Sequence, residues 1–219
     1  YRERGMFTDV RVEVLANPLP PENRPELPKT RPQMKTKFLF VGQLEPHKGV
    51  SLLLASLDQL GEDVELHFAG EGSLAECVSD RAQRDIRVTY HGFVSLNNLV
   101  KLLEHIDAVV LPSICYENSP TVIYEAFLIG VPVIASRIGG IPELVEDGVS
   151  GLLVAPGNTE ELVAAMHRIH NERDVWWKRK TAIRENAQQY SLETYVTRLE
   201  TFMRQIRGKI IHPRQGVSW

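Results

Sequence analysis

The chain has 219 residues, 43% hydrophobic and 24% charged, an ordinary composition for a globular protein long enough to bury a full core. Its formal net charge of −3 gives no global attraction to nucleic acid or anionic lipid, so any anion site must be local. Cys77 and Cys115 are the only cysteines and show no metal-ligand spacing, which argues against a disulfide framework or structural zinc and for a reduced, cytoplasmic compartment.

No apolar run reaches the roughly 18 residues needed to span a bilayer. The first residues, "YRERGMFTDV", lack a signal-peptide core and an initiator Met, so a piece of a longer protein is expected. "DVRVEVLAN" (9–17) reads as one strand. Residues 17–36 then carry six of the thirteen prolines, which predicts an extended linker.

From Lys37 onward, apolar runs of strand length alternate with helical patterns. Strands are predicted over 37–42, 64–70, 86–92, 107–113, 131–136 and 151–156, and helices over 49–60, 72–83, 95–104, 119–129 and 141–146. Such alternation requires right-handed crossovers and a parallel sheet covered on both faces, an α/β, doubly wound, Rossmann-like domain of about six strands. After Gly157 the pattern is helical over 159–171, over "ERDVWWKRKTAIRENAQQY" and over "SLETYVTRLETFMRQIRGK", where Ser191 is a helix cap with Thr194 at the third position. The domain is predicted to fill 37–207, with 1–36 the end of a preceding domain plus linker and 208–219 a flexible tail.

In doubly wound sheets ligands gather outside the carboxyl ends of the strands. The first loop there, "GQLEPHKG" (42–49), places Lys48 just before a helix, where a cation and the positive end of the helix dipole suit a phosphate. The second, "AGEGSLA" (69–75), satisfies GxGxxA, but the next strand ends in "TYHG" without the acidic residue that a dinucleotide ribose needs. Its glycines are read as a tight turn lining a cleft. The third, "YHGFVS" (90–95), offers Phe93 and Val94 either to a flat ring or to the core.

The fourth, "LPSICYENSPTVIYEA" (111–126), carries Glu117 and Glu125 on either side of a helix start, with Ser119 predicted as N-cap and Pro120 as first helical residue. The N–H groups of Thr121 and its neighbours would then form an anion site. Glu125 would stand roughly 8 to 9 Å along the helix axis at 1.5 Å per residue. A carboxylate accepts from both hydroxyls of a vicinal diol, so this order suits a sugar, then a diphosphate, then a ribose.

With these residues laid out, the chain resembles the C-terminal, donor-binding domain of the retaining glycosyltransferases of family 4, which have the GT-B fold of two facing Rossmann-like domains. The resemblance covers about residues 37–206 and rests on "FVGQLEPHKG", "HFAGEG", "YHGFV", "VVLPSICYENSPTVIYEAFLIGVPVIAS" and "GGIPELVEDGVSGLLVAPGN". The E-x7-E pair is its most specific part. It implies that Glu117 is the catalytic residue, contacting hydroxyls of the transferred sugar, and that Glu125 contacts the ribose. Lys48 would bind the diphosphate, the backbone of Ser119, Pro120 and Thr121 would cradle sugar and phosphate, and Val94 would lie against the base. Gly42, Gln43 and Asn118 complete the implied donor site. The implied substrate is a nucleotide-diphosphate sugar of UDP or GDP type, with no metal and no cofactor, in a cytoplasmic enzyme able to touch the inner membrane face.

Gln43 departs from the family pattern, which has an arginine there, so one phosphate cation is replaced by an amide unless His47 assists. The family's N-terminal acceptor domain is expected to be a missing partner, leaving a chain that binds donor but transfers little alone. A non-catalytic sugar-nucleotide-binding module and a GT-B sugar-nucleotide epimerase remain alternatives. Elsewhere, Cys115 as nucleophile and His167 with His170 as metal ligands stand against structural roles. Trp176 and Trp177 are read as helix anchors, and Arg204, Arg207 and Lys209 as a solvated end.

Overall fold

The computed structural model describes residues 35–207 and 26–28, with Leu15 and Pro18. The strand predicted over 9–17, Leu15 apart, most of the linker and the tail after 207 lie outside these residues. The chain divides into two compact units, one of residues 22–187 and one of residues 188–219 with 1–21.

The first unit is built on six parallel strands: β1 Thr36–Val41, β2 Val64–Ala69, β3 Val88–Tyr90, β4 Ala108–Leu111, β5 Val133–Ser136 and β6 Gly151–Val154. Their order across the sheet is β3-β2-β1-β4-β5-β6. The chain therefore runs outward in one direction from β1 and, after β3, in the other from β4. The switch point lies between β1 and β4, and this is where such sheets open a crevice for ligands.

Helices follow each strand: α1 Val50–Ser56, α2 Ala75–Arg84, α3 Leu96–Leu103, α4 Thr121–Ile129, α5 Ile141–Leu144 and α6 Thr159–Asn171, then α7 Arg173–Ala187. The central strands β4 and β5 are buried at every position, as expected of a parallel sheet covered on both faces. Phe38, Phe40, Phe68 and Phe127 are the largest fully buried side chains. β1 has the predicted length but starts one residue earlier, and the other five strands are shorter than predicted because the chain leaves the ladder before the apolar pattern ends.

At the amino edge of the sheet α7 is fastened by a buried ion pair. Arg173 donates from Nε and Nη2 to the two carboxylate oxygens of Asp107 at 3.0 and 3.1 Å, and Asp107 also accepts from the Lys37 N–H at 2.9 Å. Trp176 is buried on the same helix, as predicted for an anchor. On α6, His170 meets Thr36 Oγ1 at 2.7 Å through Nδ1 and Asp63 at 3.0 Å through Nε2. Both ring nitrogens are thus engaged in holding α6 to the sheet, which removes the metal reading of His167 and His170. Among the described residues there is no cluster able to hold a metal ion.

In the second unit α8 Leu192–Arg207 follows a short 3₁₀ turn at Gln188–Tyr190. Ser191 Oγ accepts from the Thr194 N–H at 3.2 Å, so the predicted cap forms with threonine at its third position. No helix among the described residues is long and apolar enough to cross a membrane.

Candidate functional site

Five loops meet at the carboxyl edge of the sheet, and backbone hydrogen bonds lace each to the next. Gly70 N donates to Gly92 O at 2.7 Å, joining the loops after β2 and β3. Leu44 N donates to Glu71 O and Leu74 N to Leu44 O, both at 2.8 Å, joining those after β1 and β2. Ile114 N to His47 O at 2.9 Å spans the switch point, and Gly140 N to Glu117 O at 2.7 Å ties the loop after β5 to that after β4.

Two close approaches require glycine. A Cβ on Gly49, whose φ is 77°, would fall 2.0 Å from Pro112 O, and one on Gly139, φ 61°, would fall 2.1 Å from Glu117 O. Side chains add a clamp: Glu45 accepts from Ser73 N at 2.8 Å and from Ser73 Oγ at 2.6 Å, which holds its carboxyl below the usual range. The four loops singled out from the sequence do converge. The double glycine of "SRIGGIP" entered only as part of the family resemblance and not as a fifth loop of the cleft; its signal was two residues without side chains at the end of a buried strand.

Lys48 and Glu117 face each other across the switch point. Lys48 Nζ donates to Glu117 Oε1 at 2.6 Å, and Ser113 Oγ donates to the same oxygen at 2.8 Å. The Glu117 side chain is only 15% exposed, and a carboxylate so far removed from water needs a counter-charge and donors. The sequence reading assigned Lys48 to a phosphate; in this structure its ammonium is paired with Glu117. Both bonds fall on one oxygen, and Oε2 has no hydrogen-bond donor among the described residues.

Helix α4 begins at Thr121, one residue later than predicted, and Pro120 occupies the N-cap position with an extended backbone. Ser119 does not cap it. Its Oγ lies 2.6 Å from Tyr124 OH, so the hydroxyl is spent on a buried phenol five residues on. The opening N–H groups of α4 are therefore without a side-chain cap, which leaves them for an external acceptor.

Apolar residues surround α4 on nearly all sides, with Val122, Ile123, Tyr124, Ala126, Phe127 and Ile129 buried. Glu125 stands among them, and burial raises its carboxyl above the ordinary value, partly offset by a hydrogen bond with Thr121.

Gly42, Gln43, His47 and Asn118 lie exposed along the crevice rim, and Val94 is half-buried beyond Gly92. Phe93 is 75% exposed, so it does not belong to the core. Cys115 is a half-buried free thiol.

The carboxyl edge of the sheet thus gathers Lys48, Glu117 and the uncapped start of α4, the helix that carries Glu125. The family model described as glycosyl transferases group 1 matches residues 23–190. An uncharacterized glycosyltransferase of Methanocaldococcus jannaschii is 32% identical over 163 residues, 72% of this chain and 40% of that protein. The glycogen synthase of Mycobacterium tuberculosis is 35% identical over 164 residues, 72% of this chain and 39% of the relative. The chain thus spans about two fifths of the length of these curated relatives. Among solved structures, Anabaena HepE in complex with UDP superimposes with a TM-score of 0.70 at 26% identity, covering 78% of this chain and 49% of that one. The lipopolysaccharide outer core galactosyltransferase WaaB, at 23% identity and a TM-score of 0.73 over 95% of this chain and 59% of its own, shares the fold.

Proposed function

Because the chain belongs to the group 1 glycosyl transferases and has the architecture of a GT-B C-terminal domain, we propose that it binds a nucleotide-diphosphate sugar and presents it for retaining transfer to an acceptor held by another domain. The observation that carries this reading is the Lys48–Glu117 contact at the switch point, in the loop that leads into the uncapped start of α4 and on to the half-buried Glu125.

In this reading the diphosphate docks against the opening N–H groups of α4 and draws Lys48 away from Glu117. The freed carboxylate accepts from hydroxyls of the transferred sugar, and Glu125 accepts from the ribose diol. Val94 lies along the base, with Gly42, Gln43, Asn118 and Ser119 lining the diphosphate and sugar. As the bond from the anomeric carbon to the diphosphate breaks, the negative charge on the leaving oxygen is met by Lys48 and the helix N-terminus, preorganised donors that do a metal's work without a metal. The acceptor hydroxyl attacks on the face that the diphosphate leaves and gives its proton to the departing phosphate oxygen, so the bond to the acceptor replaces the bond to the diphosphate with retention of configuration. The UDP and UDP-glucose complexes of HepE support a nucleoside diphosphate as ligand. With Gln43 in place of a cation, diphosphate affinity rests on Lys48 and the helix.

Calorimetric titration with UDP, GDP, ADP and their sugar conjugates tests this. Saturable binding of one nucleotide, weakened tenfold or more by Lys48→Ala and by Glu125→Ala, is expected, since a charge-assisted hydrogen bond contributes roughly 1.5–3 kcal/mol. Titrations flat for every nucleotide would sink the donor reading. The same chain is expected to transfer sugar far below the roughly 1 to 1,000 per second of ordinary enzymes.

A further inference from the structure

On β2 the two-residue alternation puts Val64, Leu66 and Phe68 on one face, all buried, and Glu65 and His67 on the other. His67 is 9% exposed, and its Nδ1 lies 3.0 Å from Nε2 of His91, the first residue after β3. The ring planes differ by 16° and the centroids are 5.3 Å apart. That separation is the nitrogen distance plus a ring radius at each side, so the rings meet edge to edge in nearly one plane. This is the geometry of an in-plane N–H···N hydrogen bond, and it requires one nitrogen to be protonated and the other bare.

Glu65 assigns the proton. Its Oε2 stands 3.6 Å from His67 Nε2, a buried nitrogen with no hydrogen-bond partner. A carboxylate there favours the tautomer with hydrogen on Nε2, which leaves His67 Nδ1 to accept from His91 Nε2–H. The other charged groups around the pair, among the described residues, are Lys37 of β1, 3.7 Å from Glu65, and Lys35 just before it, 3.3 Å from Glu65. Burial, then His91, then Lys37 hold the His67 imidazole down to about 4, so it is neutral at ordinary pH.

His91 is the root of the loop that turns through Gly92, φ 64°, to Phe93 and Val94. Two backbone bonds fasten that root, His91 N to Phe68 O at 2.9 Å and Gly70 N to Gly92 O at 2.7 Å. The imidazole pair fastens it through side chains, next to Tyr90, whose hydroxyl donates to Gly70 O at 3.2 Å. We propose that His67 is a positioning residue, whose neutral ring latches the β3–α3 loop through His91 and so holds Val94 where the nucleotide lies. This rests on the donor-site reading above. When a second proton enters, two N–H groups confront each other with no acceptor between them, and the loop is released.

The latch can be read without any ligand, from native-state hydrogen exchange of the His91 and Gly70 amides at pH 7.5 and 5.5, corrected for intrinsic rates. A histidine of ordinary pKa near 6.5 in the open state and depressed in the latched state raises the opening constant about tenfold over that interval. His67→Phe and the surface variant His91→Gln are each expected to open with less than about a threefold change, because neither retains the titrating pair. An equal pH response in wild type and both variants overturns the latch. UDP calorimetry at pH 7.5 is the second arm, and His67→Phe is expected to weaken binding about fivefold or more. UDP bound as tightly by His67→Phe as by wild type overturns the positioning role alone; no UDP binding by wild type overturns it together with the donor reading.

Discussion

Glu117 and Lys48 form an ion pair, and in the donor reading proposed above the diphosphate competes with Glu117 for the lysine. An anion that binds the lysine meets the charge of Glu117 beside it, in a contact that is part-buried and 2.6 Å long. Glu117→Gln removes the competing charge while keeping the side-chain volume. It should therefore tighten UDP binding severalfold in calorimetry, while a full-length enzyme carrying the change loses sugar transfer; weaker UDP binding would mean that Glu117 shapes the site and does not compete for Lys48. Glu125 makes the complementary case in pH. Burial raises its carboxyl, so the ionised form that a diol requires is lost earlier on acidification than for an exposed glutamate. UDP affinity should fall as pH drops through that raised value, and Glu125→Gln should bind more weakly at neutral pH with this part of the fall abolished. The stability signs of the two buried groups are opposite. The folded state holds the Glu125 proton more tightly than the unfolded chain, so acid favours folding through Glu125. For His67 the unfolded chain binds the extra proton between the ordinary value near 6.5 and about 4, so stability is lost across that window.

At the scale of the element, the site depends on helices being fastened at the far edge of the sheet. Arg173 and Asp107 are 9% and 8% exposed and joined by two hydrogen bonds, with Arg173 also donating to Lys35 O at 3.2 Å. Removing one partner strands the other as a buried charge, which typically costs roughly 3–5 kcal/mol. Arg173→Ala should lower stability by that order in urea denaturation, and a loss below about 1 kcal/mol would show that water already reaches the pair. The element scale also shows why α4 starts where it does. Serine-proline before a helical pattern signals a cap and a first turn, and that local signal is sound as chemistry. Tyr124 lies five residues away, and its hydroxyl, once buried, needs a partner that Ser119 supplies. Tertiary demand outweighed the local preference, and the helix opened one residue late with its N–H groups left over.

For the molecule as a whole, the alternation of strand and helix patterns made the doubly wound sheet legible, because a parallel sheet buried on both faces leaves unbroken apolar runs such as "AVVL" and "VIAS". The gathering of the loops followed from topology, and Lys48, Glu117 and Glu125 could be picked out by charge near a helix start. What stayed hidden was pairwise: that Lys48 would meet Glu117, that Glu45 would hold Ser73, and that two histidines 24 residues apart would share a proton. No periodicity records a contact between side chains on different loops. The lacing of those loops through backbone atoms has a further consequence. Peptide groups are the same whatever residue bears them, so the mould of the crevice is cast independently of the side chains that dress its rim. Gln43, Phe93, Asn118 and Tyr116 are exposed on those loops, so their side chains can change while the backbone lacing keeps its shape, and what the loops recognise can be altered without refolding the scaffold.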